Sequence, residues 1–216
     1  MRLTKHAHAC VALLGDGGSI VIDPGSVTPN AAEVVADAEA VLVTHEHFDH
    51  FDAEILASAL TARPELRVYA PGPVAEQLAA ASGSSGRVVA VRSGDQFEIA
   101  GFDVRVFGRD HAVIHADIPI VTNVGYLIDG SVFHPGDSYF APGVPVETLL
   151  VPTSGPWTKT GEAIDFIRAV RPRRSVQIHE VMLSEFGQRS MDRFLGEQGP
   201  ARVPFQIVPH GESIMA

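Results

Sequence analysis

Residues 45–50 read His45-Glu46-His47-Phe48-Asp49-His50 and follow directly on the apolar run Val41-Leu42-Val43-Thr44. This His-x-His-x-Asp-His pattern puts four potential metal ligands into six residues at the end of a buried-strand signal. Imidazole is the commonest protein ligand for zinc-like ions, and carboxylate oxygen completes mixed nitrogen and oxygen sites. A strand that leaves a core and turns sharply can aim alternating side chains at one point and the next pair at a second point close by. The spacing therefore suits two neighbouring metals better than one. The bland alternative, a polar helix start that is histidine-rich by accident, must absorb three histidines in six residues.

Two metals need more ligands than this motif supplies, and the chain offers them at the ends of apolar strands. Val104-Arg105-Val106-Phe107 runs through Gly108-Arg109-Asp110 to His111, with His115 four residues on. Val132-Phe133-His134-Pro135-Gly136 leads to Asp137, and Val176-Gln177-Ile178 leads to His179. Each candidate lies where a loop can face a cleft.

The elements that must position these residues alternate along the chain. Val11–Leu14 and Ser19–Asp23 pair as a hairpin across Gly15-Asp16-Gly17-Gly18, and Asp23-Pro24-Gly25 ends the second strand sharply. Asn30 caps a helix to about Ala38, Val41–Thr44 is a strand, and Asp52–Ala62 has helical spacing that stops before Pro64. A strand at Arg67–Ala70 and a helix at Pro73–Ala81 follow, with Ser82–Gly86 as a surface turn. The middle is strand-rich: Val88–Val91, Gln96–Ala100, Phe102–Phe107, then Val124–Ile128 and Val132–His134 flanking the Asp129-Gly130 hairpin turn. Alternation returns with strand Thr148–Val151, helix Gly161–Val170, strand Ser175–Ile178, helix Ser190–Leu195 and strand Phe205–Val208. Two such halves packed sheet to sheet, helices outside, make an α/β four-layer αββα sandwich with ligands on loops at one edge.

Composition sets the frame. At 216 residues the chain reads as a single domain, residues 1–216, 45% hydrophobic and 19% charged. A net charge of −10 argues against a nucleic-acid partner. The cluster Arg171, Arg173 and Arg174 reads as a solvated helix end. One cysteine, Cys10, excludes an intrachain disulfide and fits a cytoplasmic location. No signal-peptide core and no apolar run near the ~20 residues of a membrane span is present, so a membrane partner is not expected.

The pattern resembles the metallo-β-lactamase fold superfamily over nearly the whole chain: the early Asp23-Pro24-Gly25 turn, the His-x-His-x-Asp-His motif, a later lone histidine, Gly136-Asp137, and a final histidine after a strand. That resemblance implies His45, His47 and His111 on one metal and Asp49, His50 and His179 on the other, with Asp137 bridging. It favours His111 as the third histidine and leaves His115 as a surrounding or substrate contact. Lys5-His6-Ala7-His8-Ala9-Cys10 looks like the start of the subfamily around L-ascorbate-6-phosphate lactonase, where His8 would approach the substrate; the competing reading is a histidine satisfied at a strand edge. Val151-Pro152-Thr153-Ser154-Gly155-Pro156-Trp157 resembles a loop of the same subfamily, so Trp157 either lines the pocket or simply packs. The Gly-His-Thr-x-Gly-type segment of glyoxalase II is replaced here by Ala112-Val113-Ile114-His115.

The function these features imply is a metal-dependent hydrolase with a dinuclear site that activates water for attack on an ester, lactone or phosphoester-like bond of a small-molecule substrate. Asp49 and Asp137 would be its catalytic carboxylates. Two divalent ions are implied, zinc best suited and manganese or iron open. A diiron redox enzyme on the same ligands and a non-catalytic metal-binding module are the alternatives, and a homo-oligomer is compatible with the sequence.

Overall fold

The computed structural model describes residues 1–84 and 86–216, so Ser85 of the expected Ser82–Gly86 turn lies outside the described residues. The first half runs β1 (Arg2–Lys5), β2 (Val11–Gly15), β3 (Gly18–Ile22), α1 (Ala31–Ala36), β4 (Ala40–Leu42), α2 (Ala53–Ala62), β5 (Arg67–Ala70), α3 (Gly72–Ser82) and β6 (Val88–Ala90). The second runs β7 (Gln96–Ile99), β8 (Phe102–Phe107), β9 (Gly125–Ile128), β10 (Val132–His134), β11 (Thr148–Pro152), α4 (Thr160–Val170), β12 (Arg174–Ile178), α5 (Glu185–Leu195), β13 (Phe205–Gln206) and β14 (Ser213–Met215). One sheet is ordered β14-β1-β2-β3-β4-β5-β6 and the other β13-β12-β11-β10-β9-β8-β7.

Side-chain chemistry accounts for the layers. In β8, Phe102, Val104 and Val106 are buried and alternate with half-buried positions, the period-two pattern of a strand with one face on a core. They join Leu13, Ile20, Ile22, Leu42, Ile128, Leu150 and Ile178 in one cluster, which is the layer between the sheets. β11 is buried along its whole length, as a central parallel strand covered on both faces must be. Val41, Val43 and Val68 pack against Leu56 and Leu60 of α2 and Val74 and Leu78 of α3. Phe133, Leu149 and Val151 pack against Phe166 and Ile167 of α4 and Leu195 of α5. Helices thus cover the outer face of each sheet, giving the four-layer αββα order. Asp52 starts α2 by accepting the N–H groups of Glu54 and Ile55.

Three elements depart from the sequence reading. β1 and β14 were not expected; they pair antiparallel with each other, Leu3 opposite Ile214. Lys5 hid β1, because its ammonium is buried against Glu180 at 3.1 Å and reads from sequence as an exposed charge. α5 begins at Glu185 instead of Ser190, with Ser184 accepting the N–H of Gly187; Gly187 and the exposed Phe186 break the apolar periodicity there. Cys10 is fully buried beside Val21 and Ala38, and burial pushes its thiol pKa up to about 12. Among the described residues, no helix is long and apolar enough to cross a membrane.

Candidate metal centre

The two sheets deliver their loops to one edge. β3, β4, β5 and β6 are mutually parallel, as are β10, β11, β12 and β13. Asp23 follows β3, the His45–His50 turn follows β4, Asp137 follows β10 and His179 follows β12. β8, antiparallel to β9 as β10 is, ends in the same direction and leads to His111. Side chains beyond the carboxyl ends of parallel strands converge on a crevice, the usual place for a site in such sheets.

Local backbone contacts set the motif. His47 O accepts from His50 N (3.0 Å) and Phe51 N (2.9 Å), closing a tight turn. Ser26 N donates to Phe48 O (2.8 Å), pinning the Asp23-Pro24-Gly25 loop onto that turn. A Cβ on Gly25 would sit 2.1 Å from the Asp49 carbonyl carbon, so only glycine permits the approach. Asp137 is aimed likewise: Gly136 has φ +63°, a Cβ there would meet Asn123 Oδ1 at 2.1 Å, and that oxygen accepts the Asp137 N–H at 2.9 Å. His134 shapes this turn, with Nδ1 accepting from Gly136 N (3.1 Å) and Nε2 on Ala9 O (2.9 Å). His8, Asp23 and His179 all have positive φ (60°, 52° and 57°), a concentration of strained non-glycine backbone at one place.

Two sets of donor atoms result, each with its members within 4.8 Å of one another: His45, His47, His111 and Asp137; and His8, Asp49, His50 and His179. Asp137 stands between them. Its Oδ2 is 3.2 Å from His111 Nε2 and 4.0 Å from His45 Nε2, while Oδ1 is 3.1 Å from His50 Nε2 and 3.2 Å from His179 Nε2. Among the described residues, His50 Nε2, His179 Nε2 and Asp137 Oδ1 are buried without any hydrogen bond despite that proximity. Buried orphans of this kind cost about 1–3 kcal/mol each. These three atoms, two imidazole nitrogens and one carboxylate oxygen converging without bonding one another, fit a cation between them.

Surrounding groups fix which ring nitrogen faces inward. Asp23 is fully buried; its Oδ2 accepts from His50 Nδ1 (2.7 Å) and from Thr44 Oγ1 (2.7 Å), and its Oδ1 from Thr44 N (2.8 Å). With its one hydroxyl proton given to Asp23, Thr44 Oγ1 accepts from His45 Nδ1 at 3.0 Å. His111 Nδ1 donates to Ala112 O at 2.6 Å. In the neutral ring each arrangement leaves an Nε2 lone pair pointing at the donor sets, the usual role of outer-shell acceptors around a metal. Trp157 Nε1 donates to Asp137 Oδ2 at 2.9 Å, so the indole holds the carboxylate.

The sets differ electrostatically. Burial pushes His45 well below the ordinary histidine value, and His47 below it. Burial acts the same way on His50, but the Asp137 and Asp23 carboxylates outweigh it and hold His50 well above that value. Burial is likewise outweighed at His179, raised chiefly by Asp137. Burial opposes ionisation of Asp137, yet His50 and His179 hold its carboxyl well below the usual range. Asp49 is also held low, by the His179 imidazole 3.5 Å away and by its hydrogen bond with His8, which together overcome burial.

All seven residues expected to ligate therefore come together. His8 joins the second set, its Nε2 2.9 Å from Asp49 Oδ2, and its backbone is gripped by Glu180 Oε1, which accepts His8 N (2.9 Å), Lys5 Nζ (3.1 Å) and His210 Nε2 (2.7 Å). His115 stays outside both sets: its side chain is 65% exposed and lies 3.5 Å from Asp117. His111→Ala is accordingly expected to lower metal content, while His115→Ala leaves it unchanged; elemental analysis of both variants checks this. Asp23, Thr44, Asn123 and Glu180 were not singled out from sequence. Only Asp23 carried a signal, its sharp Asp-Pro-Gly turn.

Comparison with known proteins identifies the family and the fold. Protein Rv0786c of Mycobacterium tuberculosis is 38% identical over 99% of this chain and 99% of its own length. A protein of Methanopyrus kandleri named UPF0173 metal-dependent hydrolase is 28% identical over 83% of this chain and 84% of its own. The crystal structure of the metallo-β-lactamase fold protein YhfI from Bacillus subtilis superposes with a TM-score of 0.75 at 15% identity, over 99% of this chain and 98% of that one, and so shares the fold. The beta-lactamase superfamily domain matches residues 2–179, a span that contains every donor described above, and this chain belongs to that superfamily.

Proposed function

We propose that this protein is a metal-dependent hydrolase that holds two divalent ions and cleaves an ester, lactone or phosphoester-like bond in a small molecule. The observation that carries the reading is Asp137, whose two oxygens face different donor sets. His45, His47 and His111 would hold one ion, Asp49, His50 and His179 the other, with Asp137 shared. Nitrogen and oxygen donors suit zinc and leave manganese and iron open. When bound, such a pair would supply water whose pKa is lowered to about 7 and Lewis-acid polarisation of the substrate oxygen.

The chain's own contribution is orientation. Asp23, Thr44 and Ala112 O set the ring tautomers, and Trp157 and Asn123 fix Asp137. Asp49 is a carboxylate at neutral pH and so weak a base that ligation comes first among its roles and proton acceptance second. His8, bonded to Asp49, serves as an orienting group. The likeness of the Lys5–Cys10 and Val151–Trp157 stretches to the L-ascorbate-6-phosphate lactonase-like subfamily supports a lactone among the candidate bonds. The acidic balance of the chain speaks against nucleic acid, and one buried thiol suits a cytoplasmic setting.

The test is elemental analysis of freshly purified protein without added metal. About two equivalents of zinc or manganese per chain, with turnover on a panel of esters, lactones and phosphodiesters, is the expected result. Two equivalents of iron with redox-linked turnover would replace the hydrolase reading, and less than one equivalent that added metal does not restore would end it.

Loading should also release protons. His45 and His47, lowered by burial, give up their protons at lower pH, whereas His50 and His179 sit above the ordinary histidine value and hold theirs to higher pH. Affinity for the second ion is therefore expected to climb as pH rises, by about tenfold per pH unit for each proton displaced, while the first responds less. Calorimetry of stripped protein in buffers of different ionisation enthalpy reads the proton count directly.

A further inference from the structure

Exposed large apolar side chains gather where the donors are. Phe48 lies between His47 and Asp49, Val113 two residues past His111, Phe140 three past Asp137, and Val181 and Met182 two and three past His179. These five are between 45% and 69% exposed. A chain advances at most about 3.6 Å per residue, so each of their Cα atoms stands within about 11 Å of a donor residue's Cα. The loops are tied to one another: Ala112 N donates to Asp137 O at 2.8 Å, setting the Val113 loop beside the Phe140 loop. Single exposed apolar residues are ordinary, but contiguous apolar surface marks ligand grooves, and here four loops around one buried site each supply such residues.

Charge narrows the ligand further. The donor-bearing loops carry two cations, Arg109 and Lys159. Each already has a carboxylate beside it, Asp110 at 3.1 Å and Glu162 at 2.7 Å. Substrate phosphates and carboxylates are normally met by arginine or lysine. Beyond the immediate reach of the two ions, the chain's own net charge of −10 adds a field that repels anions.

We propose that the substrate is an uncharged ester or lactone bearing an apolar alkyl or aryl arm, and that Phe48, Val113, Phe140, Val181 and Met182 form the collar that holds this arm. The proposal rests on the metal-dependent hydrolase reading. The reaction adds one water: the acyl carbon gains the water oxygen, its bond to the alkoxy oxygen breaks, and that oxygen takes up a proton. No oxidant or reductant is consumed.

The experiment is calorimetric titration of metal-loaded protein with straight-chain hydroxamates from acetohydroxamate to octanohydroxamate, with metal content measured on the same sample. Affinity is expected to rise about three- to fourfold per methylene over the first several carbons. The single variants Met182→Ser and Phe140→Ser, both at exposed positions, should flatten that rise. The kcat/KM of p-nitrophenyl esters should follow the same chain-length trend. A flat hydroxamate series with metal bound overturns the collar. So does a flat series in a protein whose dimer, seen by sedimentation velocity, is split by Met182→Ser, because the patch is then a self-association surface. A rising series without hydrolysis of any ester upholds the collar and sinks the hydrolase reading. A sample that takes up no metal sinks both.

Discussion

Asp137→Ala is expected to leave the protein with one bound metal or none and to cut hydrolysis by roughly 10²–10⁴-fold, the equivalent of about 3–5 kcal/mol for deleting one partner of a buried charged cluster. The reason is geometric. Both oxygens of this buried carboxylate point at imidazole nitrogens, Oδ2 toward His111 and Oδ1 toward His50 and His179. Without it, the raised His50 and His179 lose the negative charge that holds them there, and the Trp157 indole N–H loses its acceptor. Asp137→Asn separates charge from shape, since the amide oxygen can still accept from Trp157. It should keep the fold, as read by circular dichroism and thermal melting, and still lose metal. Two metals at full occupancy in Asp137→Ala would remove the shared role from this residue.

Asp23→Ala is the second large effect, expected to cost about 3–5 kcal/mol of stability because it strands buried Thr44 N, Thr44 Oγ1 and His50 Nδ1 together. Metal affinity should drop by roughly 10–100-fold, the usual penalty for losing an outer-shell partner. Asp23→Asn is the sharper probe. Asparagine tolerates the φ of +52° and keeps an oxygen for Thr44 N, so the fold should persist. Its amide N–H would face His50 Nδ1, however, turning that nitrogen into an acceptor and leaving a proton on Nε2, where the ion must bind. Near-native melting with a weakened second site is the expected result. Unchanged metal affinity would show that Asp23 supports the fold alone.

These two residues mark how far the sequence could be read. The place of Asp137 among the histidines was legible because a carboxylate at a strand end follows an apolar run, and His45–His50 because its chemistry is packed into six consecutive positions. The β–α alternation was equally visible, since inward-facing residues such as Val104 and Val106 carry a period of two. Asp23 reads only as a turn residue, because its partners Thr44 and His50 lie 21 and 27 positions away. β1 was hidden by Lys5, whose charge is neutralised by Glu180 at a separation of 175 residues. His8 could not be placed until that strand was, since its position depends on Glu180 and on the His179 N–H that donates to its carbonyl at 3.0 Å. What escaped the sequence were contacts between distant buried polar groups, which leave no local period.

Cys10 offers a handle on motion in this region. The thiol sits two residues beyond His8, wholly enclosed, with its pKa pushed to about 12. A thiolate is the species that alkylating reagents attack, so the closed protein is inert toward them. Iodoacetamide or a disulfide reagent can reach this sulfur only while the sheet beside His8 has opened to solvent. Where reclosing outpaces labelling, the rate of modification measures the population of that open form. The chain thus carries a built-in gauge of how often the neighbourhood of its candidate metal ligands breathes, readable by mass spectrometry without adding any probe residue.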